Sequence, residues 1–162
     1  MRRIGVIVAL SFVFFLMEFF LFNLLGRWFK PNLLLLLVLF FNFYLGIRYS
    51  LITALIAGFL KDSFSLNTFG CHIFSFVLCA FLTTVTKKYL FHTSAQSLRI
   101  LLAFFMSILN VLVLYILNSM FIPLDFDQVF KFVLIPEVLA TTLVANATFW
   151  QLKKCVLKFS VG

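Results

Sequence analysis

The stretch Leu33-Leu34-Leu35-Leu36-Leu37-Val38-Leu39-Phe40-Phe41 contains no polar side chain. A strand of a membrane β-barrel would alternate apolar and polar residues, so this unbroken run favours a helix. The rest of the chain is similar, because 64% of its 162 residues are hydrophobic, Phe alone occurs 25 times and the mean hydropathy is +1.17. Several apolar runs approach the roughly 20 residues that a helix needs to cross a bilayer. The sequence therefore predicts an all-α polytopic membrane protein.

Charge points to the same class. Charged residues make up 11% of the chain, about half of their usual share in soluble domains. The net charge of +8 comes from Lys and Arg at the ends of the apolar runs. We interpret these residues as topology signals and lipid-headgroup anchors, and we expect no nucleic-acid partner. A single transmembrane domain over residues 1–162, without a soluble domain, is the expected organisation.

The apolar runs predict a bundle of six transmembrane helices. The first run is too long for a typical signal-peptide core, so we expect it to be retained as a span. The second and third runs are short, which suggests a tilted or re-entrant hairpin that neighbouring helices shield from lipid. A polar loop is expected from Lys61 to Thr68. The predicted spans are about Ile4–Leu25, Asn32–Gly46, Ser50–Leu60, Gly70–Thr86, Ile100–Ile122 and Phe132–Leu152.

The distribution of Lys and Arg predicts the orientation. Alternate connections put nine basic residues on one side, namely Arg2, Arg3, Arg48, Lys87, Lys88, Arg99, Lys153, Lys154 and Lys158. The other side receives four, namely Arg27, Lys30, Lys61 and Lys131. The richer side is cytoplasmic by the positive-inside rule, so both termini are expected in the cytoplasm. All five acidic residues then fall on the outer side: Glu18, Asp62, Asp125, Asp127 and Glu137.

Glu18 is the strongest outlier, since it stands within the first apolar run. A charge near mid-membrane costs about 2.5 to 3.5 kcal/mol on insertion scales. Glu18 should therefore face the bundle interior, be protonated, or meet a cation such as Lys61 or Arg27. It could be a proton or ligand site, or a buried contact between helices or with a partner's span. We favour the contact, because a relay usually needs several ionisable groups along a path.

Two further groups could carry a site. Asp62 follows Gly58 at helical spacing and Gly70 closes the connection. Glycines allow close backbone approach and positive φ, and Asp caps turns, so we favour a conformational lock over ligand coordination. Pro136 and Glu137 stand near the start of the sixth span, where proline marks a helix start or kink and Glu137 gains from the helix dipole.

No catalytic or metal motif is visible. Cys71, His72 and Cys79 lack the usual spacing of metal ligands, and His92 is distant in sequence. We expect no cofactor, no metal and no enzyme activity. The asparagines are predicted to make hydrogen bonds between helices: Asn42, Asn110, Asn118 and Asn146.

Three segments give the chain a resemblance to the bacterial rod shape-determining protein MreD family. They are the run from Pro31 and Asn32 through Val38, the Gly58-x-x-x-Asp62 motif with Gly70 after it, and Leu134-Ile135-Pro136 near the last span. Family members typically carry Asp where this chain has Asn32. Lys61, directly before Asp62, is also atypical and would neutralise Asp62 internally.

The resemblance implies a subunit of the cell-elongation machinery in the bacterial cytoplasmic membrane. Such a subunit associates with MreC and, through it, with MreB, RodA and a class B penicillin-binding transpeptidase. The resemblance also implies a fold similar to the substrate-binding S subunits of energy-coupling-factor transporters. We favour an assembly subunit whose partner-contact candidates are Glu18, Pro31, Asn32, Gly58, Asp62, Gly70, Pro136 and Glu137. The alternative is a vitamin-type substrate-binding subunit of a transporter, and an ion or proton channel is weaker still.

Overall fold

A computed structural model describes residues 2–26, 29–64, 69–90, 96–120 and 129–160. Within these ranges every regular element is helical. A π-helical turn, Phe130–Leu134, leads directly into the last helix. The sequence predictions that concern Arg27, His92, Asp125 and Asp127 lie outside the described residues. The helices are α1 Arg2–Leu25, α2 Leu33–Leu45, α3 Ile47–Phe64, α4 Cys71–Leu90, α5 Gln96–Ser119 and α6 Ile135–Ser160.

The short helix α2 forms the centre of the bundle. It contacts each of the other five helices, and every residue from Leu33 to Asn42 is buried. A helix that is hydrophobic on all sides is stable only where all its sides are covered. Its 13 residues span about 20 Å, less than the roughly 30 Å of hydrocarbon in a bilayer. Protein therefore surrounds α2, as expected for a short segment that its neighbours shield.

The other helices pack around α2 in the order α1, α3, α4, α5, α6. Their outer faces carry large exposed apolar side chains such as Phe20, Phe81, Phe105 and Leu143. Three helices contain segments long and apolar enough to cross a membrane, namely Ile4–Leu25, Cys71–Tyr89 and Leu98–Ser119. Because both the interior and the outer surface are apolar, the fold is that of a helical membrane protein.

The structure extends several predicted helices, since α4 continues to Leu90 and α5 begins at Gln96. The third helix, predicted over residues 50–60, has 18 residues and ends at Phe64. Lys61 and Asp62 therefore lie in the last turns of α3 and not in a loop, because their side chains find partners on neighbouring helices. The sixth helix continues from Leu152 to Ser160, since lysines are good helix formers wherever they can reach water.

Candidate functional site

The polar side chains gather at one end of the bundle, where α1, α3 and α5 end and α2, α4 and α6 begin. We call this the acidic end, because the carboxylates of Glu18, Asp62 and Glu137 lie there. The opposite end, where α2, α4 and α6 end, is the basic end. The side chains described there include Arg48, Lys87, Lys88, Arg99, Lys153 and Lys154.

Asp62 caps helix α4 from helix α3. Its Oδ2 accepts hydrogen bonds from the backbone N–H groups of Gly70 (3.0 Å) and Ile73 (3.2 Å). Its Oδ1 accepts from the backbone N–H of His72 (3.1 Å) and lies 2.8 Å from His72 Nδ1. The first N–H groups of a helix have no partner within it, and the helix dipole favours a negative charge there. The buried Asp62 carboxylate supplies both the acceptors and the charge.

The two glycines of the motif place α4 against Asp62. Gly58 is one helical turn before Asp62, so the two residues share a face of α3. A Cβ at Gly58 would lie 2.5 Å from the Cα of Ile73, which means that only glycine permits this approach of the helices. Gly70 has φ +100°, a conformation that strains other residues, as it turns its N–H toward Asp62. The Gly58-x-x-x-Asp62 and Gly70 pattern therefore serves a single junction.

Glu18 joins three helices. Its Oε1 lies 2.8 Å from Lys61 Nζ on α3, and its Oε2 accepts a long hydrogen bond (3.4 Å) from the N–H of Leu34 on α2. Lys61 is one of the two cations expected from the sequence. The expectation that Lys61 neutralises Asp62 is wrong, because consecutive helical residues point about 100° apart and Lys61 turns toward α1. Asp62 meets His72 and backbone donors instead.

Asn32 links the start of α2 to α6. Its Oδ1 accepts from the N–H of Leu35 (3.2 Å) as the N-cap, and its Nδ2 donates to Glu137 Oε1 (2.8 Å). Its backbone N–H donates to Thr141 Oγ1 (2.9 Å). Pro31 lies just before this cap, because α2 begins at Leu33 and the Asn32 side chain is its N-cap.

Pro136 is the second residue of α6, and its missing N–H is tolerated because the adjoining π-helical turn already interrupts the regular hydrogen-bond pattern. It is buried next to Glu137. The predicted proline near the start of the last helix is therefore present, preceded by the π-helical turn. This arrangement places Glu137 in the first turn of α6, within reach of Asn32.

A cavity with two lobes opens among these groups. The lobes have volumes of about 310 and 270 Å³, and Lys30, Lys61 and His72 line both. Glu18 and several phenylalanines complete the first lobe, whereas Glu137 and Tyr115 belong to the second. Within the described ranges, no three His, Cys, Asp or Glu side chains are grouped closely enough to hold a metal. The cavity is amphipathic, with both signs of charge on its wall.

Two contacts of this site differ from or go beyond the sequence predictions. His72 was considered only as a metal ligand, whereas it lies against Asp62, and Thr141 was not considered. A histidine two residues after Gly70 is the one local signal for the first contact. Nothing in the sequence places Thr141 beside Asn32, because residues 109 positions apart are brought together only by the packing of α6 on α2.

Polar contacts between helices also occur deeper in the bundle. Asn42 of α2 donates to the carbonyl of Ala80 (2.7 Å) on α4, and Asn110 of α5 accepts from Ser75 (2.7 Å) on α4. Both asparagines therefore make the predicted interhelical bonds. Asn118 also donates to Leu114 within its own helix.

The arrangement at the acidic end fixes helix ends relative to one another. Its carboxylates accept hydrogen bonds from backbone N–H groups and side chains of neighbouring helices. No curated protein and no solved structure was found to match the chain. The model of one family, described as rod shape-determining protein MreD, matches residues 1–158. With nearly every residue covered, the chain belongs to the rod shape-determining protein MreD family.

Proposed function

We propose that this protein is an integral-membrane scaffold subunit of the bacterial cell-elongation machinery, which synthesises peptidoglycan during rod-shaped growth. It pairs with MreC, and through MreC with MreB, RodA and a class B penicillin-binding transpeptidase. The observation that carries this proposal is the family match over residues 1–158. The role in rod shape comes from the family, and the scaffold role and the partners are our inference.

The geometry of the acidic end supports docking more than chemistry. Asp62 is buried and its carboxylate meets three backbone N–H groups and His72. That many donors hold the carboxylate in one orientation. A surface held rigid in this way loses less entropy when a partner binds. These features favour a preorganised docking platform whose helix ends are held in place by Asp62, Glu18 and Glu137.

We further propose that the chain crosses the cytoplasmic membrane six times, with the short α2 enclosed by its neighbours and both termini in the cytoplasm. Helices α1, α4 and α5 contain the three long apolar segments. Successive helices along the chain run in opposite directions, so α2, α3 and α6 also extend from the acidic end to the basic end or back. The basic end then faces the cytoplasm, as the positive-inside rule favours.

The test is co-purification of MreC with an Asp62→Ala variant from membranes of the native host. The substitution leaves the first N–H groups of α4 without their acceptor, so we expect much less MreC to be captured and the cells to become rounded. Ser63→Ala is the matched control, because Ser63 is exposed and its hydroxyl bonds only to Phe59 of its own helix among the described residues. We expect this control to behave as the wild type.

Size-exclusion profiles of both variants separate loss of docking from loss of folding. Recovery of Asp62→Ala at wild-type level, with normal MreC capture and normal rods, would refute the role given to this junction.

The two-lobed cavity favours one other candidate, a vitamin-type substrate-binding subunit of a transporter. Its first lobe, of about 310 Å³, is near the lower limit of ligand pockets, which runs from about 300 to 1,000 Å³. A thermal-shift screen of the purified chain with a panel of vitamins tests this candidate. Stabilisation by one vitamin, lost in Lys30→Gln, would support it, and no shift with any vitamin would count against it.

A further inference from the structure

A separate cleft opens at the basic end, between the last turn of α2, the first turn of α5 and the last part of α6. We call it the basic-end cleft. Its volume is about 90 Å³, and Tyr44, Arg99, Asn146, Trp150 and Lys153 line it. An opening of this size admits one small group and not a whole organic ligand. Its chemistry is decided by the two cations, Arg99 and Lys153.

Arg99 is held in place for recognition of an anion. One of its terminal nitrogens donates to the hydroxyl of Tyr44, and its guanidinium carbon lies 5.9 Å from the centre of the Tyr44 ring. This contact orients the side chain and uses a single donor of the guanidinium fork. The planar fork matches the geometry of phosphate oxygens, which is why Arg is preferred at phosphate sites.

No carboxylate competes for these cations in the part of the chain that is described. Glu18, Asp62 and Glu137 lie at the acidic end, on the far side of the buried helix α2. The positive dipole end at the first turn of α5 offsets the negative end at the last turn of α2, so the charges of Arg99 and Lys153 dominate. The local field therefore favours an anion in the basic-end cleft.

An exposed apolar stripe on α6 runs from the cleft back to the second turn of the helix. It consists of Leu139, Leu143 and Trp150, with exposed fractions of 56%, 73% and 59%. Their spacing of four and seven residues places them on one face of the helix, and Lys153 continues that face to the cleft. Tryptophan is typical of the membrane–water interface, where lipid headgroups lie. An anionic group with an apolar chain attached fits both features, whereas free phosphate would use only the cleft.

We propose that the basic-end cleft binds the phosphate of an anionic phospholipid. Arg99 and Lys153 contact the phosphate oxygens, and an acyl chain lies along Leu143 and Leu139. This site is independent of the partner-docking role of the acidic end.

The experiment measures lipid affinity of the purified full chain by native mass spectrometry and by thermal shift. The probes are phosphatidylglycerol, phosphatidylcholine and inorganic phosphate. Wild-type protein should bind phosphatidylglycerol with a rise in melting temperature that the other two probes do not produce. Each basic residue near an anionic headgroup contributes about fivefold in affinity, so Arg99→Gln with Lys153→Gln should weaken binding by about 25-fold.

The control for charge alone is Arg48→Gln with Lys88→Gln. It removes one Arg and one Lys from the same end, and both residues are exposed outside the cleft. We expect affinity close to wild type. Equal losses in the two double variants, or no loss in either, would overturn the proposal. Equal stabilisation by inorganic phosphate would overturn the assignment to a lipid.

A second pair of variants keeps the test decisive if the loss of Arg99 prevents folding. Lys153 lines the cleft, whereas its neighbour Lys154 lies over the Trp150 ring, 3.5 Å from the ring centre. Lys153→Gln should lower phosphatidylglycerol affinity about fivefold, and Lys154→Gln should lower it less. The reverse order would contradict the proposed position of the phosphate.

Discussion

At the scale of single residues, Gly58 and Asp62 show how one turn of helix sets the position of another helix. The missing side chain at Gly58 lets the backbone of α4 approach at Ile73, and the carboxylate of Asp62 then reaches the first N–H groups of that helix. Close packing and the polar cap are coupled, because Asp62 reaches the N–H groups of α4 only when α3 and α4 lie this close together. Small residues commonly permit such contacts between membrane helices.

Gly58→Ala should therefore destabilise the protein more than the small size of the added methyl group suggests. The added Cβ meets backbone atoms of Ile73, which cannot move without shifting α4. Overpacking of this kind lowers the free energy of unfolding by about 1–3 kcal/mol. Each kcal/mol lowers the melting temperature by about 2–4 °C for a chain of this size. Thermal unfolding of the purified protein in detergent measures the change.

The control is Gly5→Ala in helix α1, where nothing lies within 4 Å of the added Cβ. It should leave the melting temperature unchanged or slightly higher, since Ala is the better helix former. If both alanines proved equally harmless, α3 and α4 would not need the close approach at Gly58.

At the scale of the elements, α2 is an apolar rod whose start is attached by polar contacts. Its side chains from Leu33 to Phe41 pack against every other helix, while Asn32 binds Glu137 and Thr141 of α6. Apolar packing is non-directional, so it does not determine how far α2 slides along its neighbours. The directional hydrogen bonds of Asn32 define that position.

Asn32→Asp should loosen this attachment. The substitution keeps the oxygen that caps Leu35 but places two carboxyl groups at the 2.8 Å contact with Glu137. One group must take up a proton or the pair must separate, at a cost of about 1–3 kcal/mol. The measurement is again thermal unfolding.

Adding Glu137→Gln to Asn32→Asp should restore most of the loss, since the new amide donates to the new carboxylate. Glu137→Gln alone completes the double-mutant cycle and serves as its control. A double variant no more stable than Asn32→Asp would show that the contact between α2 and α6 does not position α2.

At the scale of the whole molecule, charge is divided between the two ends of an apolar bundle. The described carboxylates join helices at the acidic end, and cations such as Arg48 and Lys88 are exposed at the basic end. In a membrane, this division sets an orientation through the basic residues. It also separates a rigid polar site from a surface suited to anionic lipid.

Labelling of single cysteines tests the proposed topology. In a background without Cys71, Cys79 and Cys155, a membrane-impermeant maleimide should label Lys30→Cys and Lys131→Cys in intact spheroplasts. Arg48→Cys and Lys88→Cys should react only after lysis, because six crossings put them on the cytoplasmic side. All four should react in lysed cells.

Two results would contradict this topology. Labelling of Arg48→Cys together with Lys30→Cys in intact spheroplasts would show that α2 and α3 do not cross. Labelling of only Arg48→Cys and Lys88→Cys would show the inverted orientation.

The sequence by itself determined the class of the fold and the approximate helices. An unbroken apolar run such as Leu33–Phe41 is stable only as a helix in apolar surroundings. The charged residues Glu18 and Asp62 stand out because a charge is costly in such surroundings. Local patterns also indicated Gly58, Gly70 and Pro136 as positions with special backbone demands. These inferences rest on interactions within a few residues, which a sequence displays directly.

Only the tertiary structure decided which groups meet. From the sequence, Lys61 could form an ion pair with the adjacent Asp62 or with Glu18 on α1. Its side chain points from α3 toward α1, so it pairs with Glu18. Similarly, Asn32 reached Thr141 and Glu137 only because α6 packs on α2. Apolar runs carry no directional information about their neighbours, so polar pairing across 100 or more residues follows from packing geometry, which no local pattern in the sequence specifies.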